Sequence, residues 1–380
     1  MAETFKGPAI VARKPLPENG WVLEDLTLTA DIEDNEVVVQ MVAGGVCHTD
    51  ILHGSIPPGY PMAAYPRVLG HEGSGYVRKV GNAVKSVSVG DPVLLSFSSC
   101  GSCSMCNSKK WSYCYSFGDL NVGDKPTFTD SGGKPVIGRY FGQSSFASFS
   151  VVRESSLVNV RDLISDKKEL ELSAPLGCGM QTGAAAVINV AKVTEQDVVV
   201  VSGMGGVGLS AIMAAAMSKA RMIVGVDRVE SRLQLAKELG ATHTVNSAKL
   251  EDGKTLVESI MAVCEGEGPH VFLEATGVPE VIKASIQAVR QGGAVYQIGV
   301  APPDFNLEIP SMYFMVQGKT YRGVMVGDAL PKKFVPQMIG WYREGKFPID
   351  RLITHVPARE FQRALKGMHD GSIVKPVLLW

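Results

Sequence analysis

Residues 198–227 read VVVVSGMGGVGLSAIMAAAMSKARMIVGVD, and they are the most informative part of the chain about its fold. Four consecutive valines predict a buried strand, a glycine-rich turn follows directly, and an apolar helix and a second strand come next. The turn has the spacing Gly-x-Gly-x-x-Gly, and Asp227 stands at the end of the second strand. This is the pattern of a dinucleotide-binding βαβ unit.

The glycine-rich turn can bring backbone N–H groups and a helix N-terminus close to a pyrophosphate. The Asp227 carboxylate can accept both ribose hydroxyls of the adenosine and would repel a 2′-phosphate, which favours NAD over NADP. Arg228 weakens this preference, because a guanidinium binds phosphate. A glycine-rich turn without any ligand is the alternative. The residues predicted to line the pyrophosphate are Gly203, Gly205, Gly206, Val207 and Gly208.

The predicted pattern of secondary structure changes near residue 180. Before it, short strands such as those at 36–42 and 75–95 are broken by Gly, Asn and Pro. After it, strand-like runs at 198–201, 222–226, 271–273 and 294–298 alternate with helical patterns at 206–218, 230–239, 254–264 and 279–291. This alternation predicts a doubly wound parallel sheet. A strand at 322–326, a helix at 333–343 and a final helix and strand are too short for a core of their own, so we expect them to pack on the amino-terminal part.

Composition excludes several classes of partner. The chain has 380 residues, 37 Lys and Arg against 38 Asp and Glu, and a formal charge of −1. This balance gives no electrostatic basis for binding nucleic acid or an anionic membrane. The longest apolar stretch, 207–217, is shorter than the ~20 residues of a membrane-spanning helix, and residues 1–10 lack the apolar region of a secretory signal. We therefore predict a cytoplasmic protein of two or three domains.

Four of the seven cysteines lie in one short window, at Cys100, Cys103, Cys106 and Cys114. Three thiols at Cys-x-x-Cys-x-x-Cys spacing and a fourth shortly after them can close a tetrahedral S4 site around zinc. Closed coordination leaves no position for a substrate, so this ion would stabilise the fold and take no part in catalysis. Four free cysteines or an iron–sulfur site are the alternatives.

Three scattered motifs each offer one further zinc ligand, namely Cys47, His71 and Cys178. A Cys2His set would leave the fourth coordination position open for water or substrate, as catalytic zinc requires. Spacing along the sequence does not establish that the three residues meet in space. Cys178 could equally be a small buried core residue.

Taken in order, these motifs resemble those of the zinc-dependent medium-chain alcohol dehydrogenases. They are CHTD at 47–50, GHEG at 70–73, the four-cysteine window, LGCGMQTG at 176–183 and the glycine-rich turn. The similarity covers essentially the whole chain and looks closest to the aryl- or benzyl-alcohol dehydrogenase branch. It implies a GroES-like catalytic domain with a structural zinc lobe over 1–180, a Rossmann NAD-binding domain over 181–320 and a return to the catalytic domain over 321–380.

The resemblance also implies roles for single residues. Cys47, His71 and Cys178 would bind the catalytic zinc, which gives two Zn²⁺ per chain with the four-cysteine site. Thr49 would hydrogen-bond the substrate oxygen and Asp50 would orient the His71 ring. Glu72 would lie behind the metal, unless it is a turn carboxylate in solvent.

Cofactor contacts are implied in the same way. His48 and Lys375 match positions that contact the cofactor pyrophosphate, and Thr182 matches one that packs on the nicotinamide. For His48 and Lys375 an ordinary exposed charge is the alternative. The candidate wall of a substrate pocket is apolar and aromatic, with core packing as the alternative for each member: Leu52, Phe97, Tyr140, Phe141 and Val300.

The expected reaction is reversible hydride transfer between NAD and a primary alcohol, aromatic or long and apolar, or its aldehyde. A reductase of conjugated double bonds, acting by 1,4-addition, is one rival. A catalytically silent protein that binds zinc and nucleotide is another. We expect a homo-oligomer, a dimer more than a tetramer, that pairs through an edge strand near 305–309.

One position departs from the family. Many members carry a histidine at the fifth residue after the first zinc-ligand cysteine, where it relays the alcohol proton to solvent. Here that position is Leu52, and the nearest imidazole is His53. A step of one residue turns a side chain by about 100° on a helix. We therefore predict that His53 is not the relay and that protons leave through the cofactor ribose and water, so that oxidation depends more on external pH and buffer.

Overall fold

The computed structural model describes residues 4–28, 32–60 and 63–380. These residues form two compact units. The first contains Met1–Cys178, Leu330–Gly340 and Ile349–Trp380, and the second contains Gly179–Ala329 and Trp341–Pro348. The second boundary thus lies near 330 and not at 320, because a strand that follows residue 319 still belongs to the parallel sheet of the second unit.

Strands predominate before residue 160, and strands and α-helices alternate from residue 198 onward. The strands are β1 Lys6–Ala12, β2 Trp21–Leu28, β3 Glu36–Gly45, β4 Arg67–Val68, β5 Gly73–Val80, β6 Pro92–Leu95, β7 Pro126–Thr129, β8 Pro135–Ile137, β9 Phe149–Arg153, β10 Leu157–Asn159, β11 Val198–Ser202, β12 Met222–Asp227, β13 His243–Asn246, β14 Val271–Glu274, β15 Ala294–Gln297, β16 Thr320–Gly323, β17 Ile353–Pro357 and β18 Lys375–Leu379. The helices are α1 His48–His53, α2 Ser104–Asn107, α3 Phe117–Asn121, α4 Lys167–Ser173, α5 Gly179–Ala185, α6 Gly206–Met217, α7 Glu230–Glu238, α8 Leu256–Val263, α9 Pro279–Ala288, α10 Ser311–Val316, α11 Pro331–Arg343 and α12 Phe361–Asp370.

The first unit is β-rich. One set of strands closes into a barrel in the order β1-β2-β7-β8-β4, and a second sheet runs β10-β6-β5-β3-β18-β17, with β9 also paired to β3. β3 is buried over nearly its whole length, since sheet and core cover both of its faces. The carboxyl-terminal β18 pairs antiparallel with β3, Val377 opposite Gly45. This pairing confirms that the final strand packs on the amino-terminal part, whereas β16 and Trp341–Pro348 belong to the second unit.

The second unit is a parallel sheet in the order β13-β12-β11-β14-β15-β16 with intervening helices. β11 and β14 are continuously buried, as expected of parallel strands covered on both faces. The order reverses between β11 and β14, which is the Rossmann arrangement. The predicted combination of a GroES-like domain and a Rossmann domain is confirmed.

Two details differ from the sequence prediction. The strand expected at 322–326 is β16, Thr320–Gly323, and it forms the edge of the parallel sheet. Residues 305–309, expected to be the edge strand, contain no strand; their apolar side chains Leu307 and Ile309 pack on the core of the second unit. In the described part of the chain, no helix has the length and apolar character needed to cross a bilayer.

Candidate active site

Asp50 organises the start of the site. It lies on α1, directly after β3, and its side chain is fully buried. Its carboxylate accepts hydrogen bonds from the backbone N–H of Cys47 at 2.9 Å and of Gly70 at 3.1 Å, and from His71 Nδ1 at 2.8 Å. A carboxylate only accepts, so Nδ1 of His71 carries the proton and Nε2 keeps its lone pair for a metal. One side chain therefore fixes two predicted zinc ligands relative to each other.

The structure brings together the predicted ligands of the catalytic zinc. One ligand atom from each of Cys47, His71, Glu72 and Cys178 lies within 4.8 Å of all the others. His71 Nε2 is 3.2 Å from Cys178 Sγ, and Thr49 Oγ1 is 3.7 Å from Cys47 Sγ. Two thiols and an imidazole nitrogen are donors that Zn²⁺ prefers, and three of them leave a coordination position open. The residues present thus fit a catalytic zinc.

Glu72 and Lys375 form a buried ion pair beside these ligands. The Lys375 ammonium donates to Glu72 Oε1 at 2.7 Å and to the Val46 carbonyl at 3.0 Å, and both side chains are buried. Burial disfavours the ammonium, yet the Glu72 carboxylate holds the pKa of Lys375 above its ordinary value. Burial excludes the alternative that Lys375 is an ordinary exposed charge, and its contact with the cofactor pyrophosphate stays a prediction.

Aromatic rings enclose His71. Phe141 stacks on its ring with centroids 4.6 Å apart, and Tyr140 meets it edge-on at 5.8 Å. Tyr140 Oη lies 2.7 Å from His53 Nδ1 and 3.4 Å from the Thr49 carbonyl oxygen. Burial, aided by the positive charge of Arg67, lowers the pKa of His53 to about 4. His53 is therefore neutral near pH 7 and turned toward a buried tyrosine.

Sequence reasoning missed two residues that support this site. The buried Gln143 amide donates to the carbonyls of His71 at 2.9 Å and Ser96 at 3.0 Å and accepts from Gly73 N–H at 3.2 Å. The buried Arg67 guanidinium lies over the Tyr140 ring, 5.1 Å from its centroid. Neither residue belongs to a short motif, and arginine is a mostly exposed residue type, so nothing in the sequence indicates that Arg67 is buried.

The four-cysteine window also folds into one cluster. The Sγ–Sγ separations are 3.6 Å for Cys103 and Cys106, 3.9 Å for Cys100 and Cys106, and 4.0 Å for Cys103 and Cys114. A tetrahedron with Zn–S bonds of about 2.3 Å has edges of ~3.8 Å. Backbone N–H groups of Cys100 and Cys103 donate to cluster sulfurs, which stabilises thiolates. The cluster therefore fits a closed zinc site.

The glycine-rich turn lies at the carboxyl edge of the parallel sheet. Gly203 has a φ of +88°, and a side chain at Gly208 would come within 1.8 Å of the Gly203 carbonyl. At Gly205, which caps α6, a Cβ would meet no atom within 4 Å. Asp227 accepts from Met204 N–H at 2.6 Å and from Val229 N–H at 2.9 Å, and thereby fixes the turn to the end of β12. Open space before a helix N-terminus fits a pyrophosphate.

The remaining predicted residues lie in different settings. His48 begins α1 and Arg228 follows β12, and both are exposed. Thr182 is buried on α5 in the second unit. Leu52 is 45% exposed and Val300 68%, whereas the other candidates for the pocket wall are buried or half-buried: Phe97, Tyr140 and Phe141.

Known proteins match the chain along most of its length. Residues 33–162 match the alcohol dehydrogenase GroES-like domain and residues 206–344 match the zinc-binding dehydrogenase family. A geraniol dehydrogenase of Castellaniella defragrans is 39% identical, over 91% of each chain. An alcohol dehydrogenase class-3 of Dictyostelium discoideum is 33% identical, over 97% of this chain and 95% of its own.

Solved structures agree with these matches. The benzyl alcohol dehydrogenase of Acinetobacter calcoaceticus has a TM-score of 0.88 at 37% identity, and an alcohol dehydrogenase zinc-binding domain protein of Burkholderia ambifaria has 0.91 at 36%; each comparison covers 99% of both chains. The chain therefore belongs to the zinc-dependent medium-chain alcohol dehydrogenases and is an oxidoreductase of their NAD-dependent type.

Proposed function

We propose that the protein transfers hydride reversibly between NAD and a primary alcohol that is aromatic or long and apolar. The observation that carries this proposal is the convergence of Cys47, His71 and Cys178, with Asp50 fixing the tautomer of His71. When bound there, zinc supplies a Lewis acid that lowers the pKa of an alcohol. The same proposal includes a second zinc at Cys100, Cys103, Cys106 and Cys114, and a cytoplasmic location, where thiols stay reduced.

The chain's own residues perform the remaining tasks. The Thr49 hydroxyl, beside Cys47, can accept the hydrogen bond of the substrate hydroxyl and take its proton while its own proton passes to the cofactor ribose and then to water. The Lys375 ammonium neutralises the buried carboxylate of Glu72 beside the proposed zinc ligands. The nicotinamide carries the hydride, so the protein contributes alignment and a dry site.

An aromatic cluster beside the ligands favours an apolar substrate. Phe117 lies 6.0 Å, between ring centroids, from both Phe97 and Phe141, and Phe141 stacks on His71. Similarity to a geraniol dehydrogenase and to a benzyl alcohol dehydrogenase supports the same substrate class. Extra buried apolar area adds binding energy of about 0.8 kcal/mol per methylene.

The test is NADH formation with a panel of alcohols by zinc-loaded enzyme. We expect kcat/KM for benzyl alcohol or geraniol to exceed that for ethanol by about a hundredfold or more. A conjugated enal with NADH should yield the allylic alcohol. Formation of the saturated aldehyde would establish 1,4-reduction instead, and no turnover with any alcohol would contradict the proposal.

Cofactor preference should depend on Asp227. Asp227→Ser removes the carboxylate that would repel a 2′-phosphate, so the ratio of kcat/KM for NADP to that for NAD should rise by at least about tenfold. The exposed Arg228 can then meet the phosphate, and Asp227→Ser/Arg228→Ala should lose part of the gain. A wild-type enzyme that already prefers NADP would contradict this role of Asp227.

We also propose that the protein is a homodimer that pairs through the second unit. β16 is the edge of its sheet, and α10 exposes Met312, Met315 and Val316, each more than 70% accessible. An apolar patch next to an unpaired strand is typical of an interface. Light scattering should give twice the chain mass, and Met315→Glu should shift it to the monomer. A tetramer, or a monomeric wild type, would refute the dimer.

A further inference from the structure

Glu274 is a fully buried carboxylate that the proposed mechanism does not use. It ends β14, and the groups that donate hydrogen bonds to its side chain are neutral hydroxyls and backbone N–H groups. A buried charge is costly unless donors surround it. Its position at the carboxyl edge of the sheet, where doubly wound domains bind their ligands, suggests a purpose beyond packing.

The donors around Glu274 come from two neighbouring segments. Thr276 donates its backbone N–H at 2.7 Å and also its hydroxyl, and Gly277 donates its N–H at 3.1 Å. The hydroxyl of Ser202, the last residue of β11, donates at 3.3 Å. Ser202 directly precedes the glycine-rich turn. The carboxylate thus ties the loop 275–278 to the base of that turn.

The loop 275–278 packs closely against Val300 and the glycine-rich turn, which leaves it little room to move. Gly277 has a φ of +71°, and a Cβ there would come within 2.2 Å of the Val300 carbonyl. A Cβ at Gly203 would lie 3.0 Å from the Thr276 side chain. The N–H groups of Ile298 and Gly299 donate to the Glu274 carbonyl. The Glu274 carboxylate therefore holds the loop 275–278 to Ser202, and its backbone carbonyl, which a change of side chain leaves in place, holds the loop after β15.

The strand order indicates which half of the cofactor these loops face. Asp227 ends β12, on one side of β11, and is the residue predicted to hold the adenosine ribose. β14 lies on the other side of β11. A dinucleotide spans the point where the strand order reverses, with one mononucleotide on each side. The loops after β14 and β15 therefore lie on the nicotinamide side.

We propose that Glu274 is a positioning residue for the nicotinamide half of the cofactor, an inference that rests on the proposed binding of NAD. The carboxylate sets the backbone of 275–278 against the glycine-rich turn before the cofactor arrives. Because this backbone is ordered before the cofactor binds, the binding free energy does not have to offset the conformational entropy of ordering it. A purely electrostatic argument predicts the opposite effect on affinity, because removal of the Glu274 charge should strengthen the binding of anionic NADH.

The test compares NADH with AMP, which has only the adenosine half. In Glu274→Gln an amide N–H₂, itself a donor, replaces an oxygen that accepts hydrogen bonds, so it faces the donors of Thr276, Gly277 or Ser202. The Kd of NADH should therefore rise about tenfold. It is measured by fluorescence titration of the zinc-loaded enzyme. The Kd of AMP should stay within about twofold. Glu280→Gln, an exposed loss of the same charge on α9, is the matched control and should change neither value.

Each other outcome is decisive. An equal loss of NADH and AMP affinity, or no loss of either, overturns the role of Glu274. If Glu274→Gln does not fold, Thr276→Val, which keeps the shape and removes one donor, must weaken NADH selectively, and an unselective effect overturns the inference. Failure of the wild type to bind NADH would instead contradict the proposed function.

Discussion

The enzyme with Thr49→Val should keep its fold and its zinc and lose at least about a hundredfold in kcat for alcohol oxidation. Valine has nearly the shape of threonine and lacks the hydroxyl, which lies 3.7 Å from Cys47 Sγ, next to the proposed metal. The measurement is kcat with saturating NAD, together with zinc content. Thr49→Ser restores the hydroxyl and should recover most of the rate, whereas a Thr49→Val enzyme within a few-fold of wild type would contradict the role.

His53 provides the contrasting variant. Its Nδ1 is engaged by Tyr140, and its pKa of about 4 means that it is neutral, and does not titrate, between pH 6 and pH 9. A relay group works best with a pKa near the working pH. His53→Ala should therefore leave kcat and its pH profile nearly intact, while Leu52→His should change the pH profile and reduce the dependence on buffer. A loss beyond a hundredfold in His53→Ala would restore His53 to the relay.

The two metal sites should respond differently to loss of one ligand. Cys103→Ala opens a closed thiolate cluster, so the protein should unfold or its Tm should fall by several degrees, because metal binding contributes folding free energy there. His71→Ala should remain folded, retain one zinc and have no measurable turnover. Zinc analysis, thermal unfolding and NADH formation on the same samples separate these outcomes.

Fresh wild-type protein should contain two zinc ions per chain. A lower content would contradict the assignment of one of the clusters. A stable Cys103→Ala protein with wild-type Tm would mean that the four-cysteine site does not support the fold. Cys264→Ala, which changes a buried cysteine outside both clusters, is the matched control and should retain both ions.

Local patterns made much of this protein predictable. The valines of β11, the glycine-rich turn and Asp227 lie within one short run of sequence, and the structure places each in the expected element. β13 escaped notice because its sequence, HTVN, is short and largely polar. The edge strand was misplaced at 305–309, since Leu307 and Ile309 look strand-like but pack on a core as irregular chain.

The sequence by itself determined the four-cysteine cluster and the dinucleotide turn, because each depends on residues close together in the chain. It also offered the donor types of the second zinc site, Cys47, His71 and Cys178, but their convergence is a tertiary contact. Only the tertiary structure decided which side chains meet across long separations. Lys375 pairs with Glu72 over 303 residues because β18, which begins at Lys375, and β5, which Glu72 precedes, both pair with β3. His53 turns to Tyr140, and Glu274 to Ser202, for the same kind of reason. Such contacts follow from strand pairing and burial, and no spacing along the sequence encodes them.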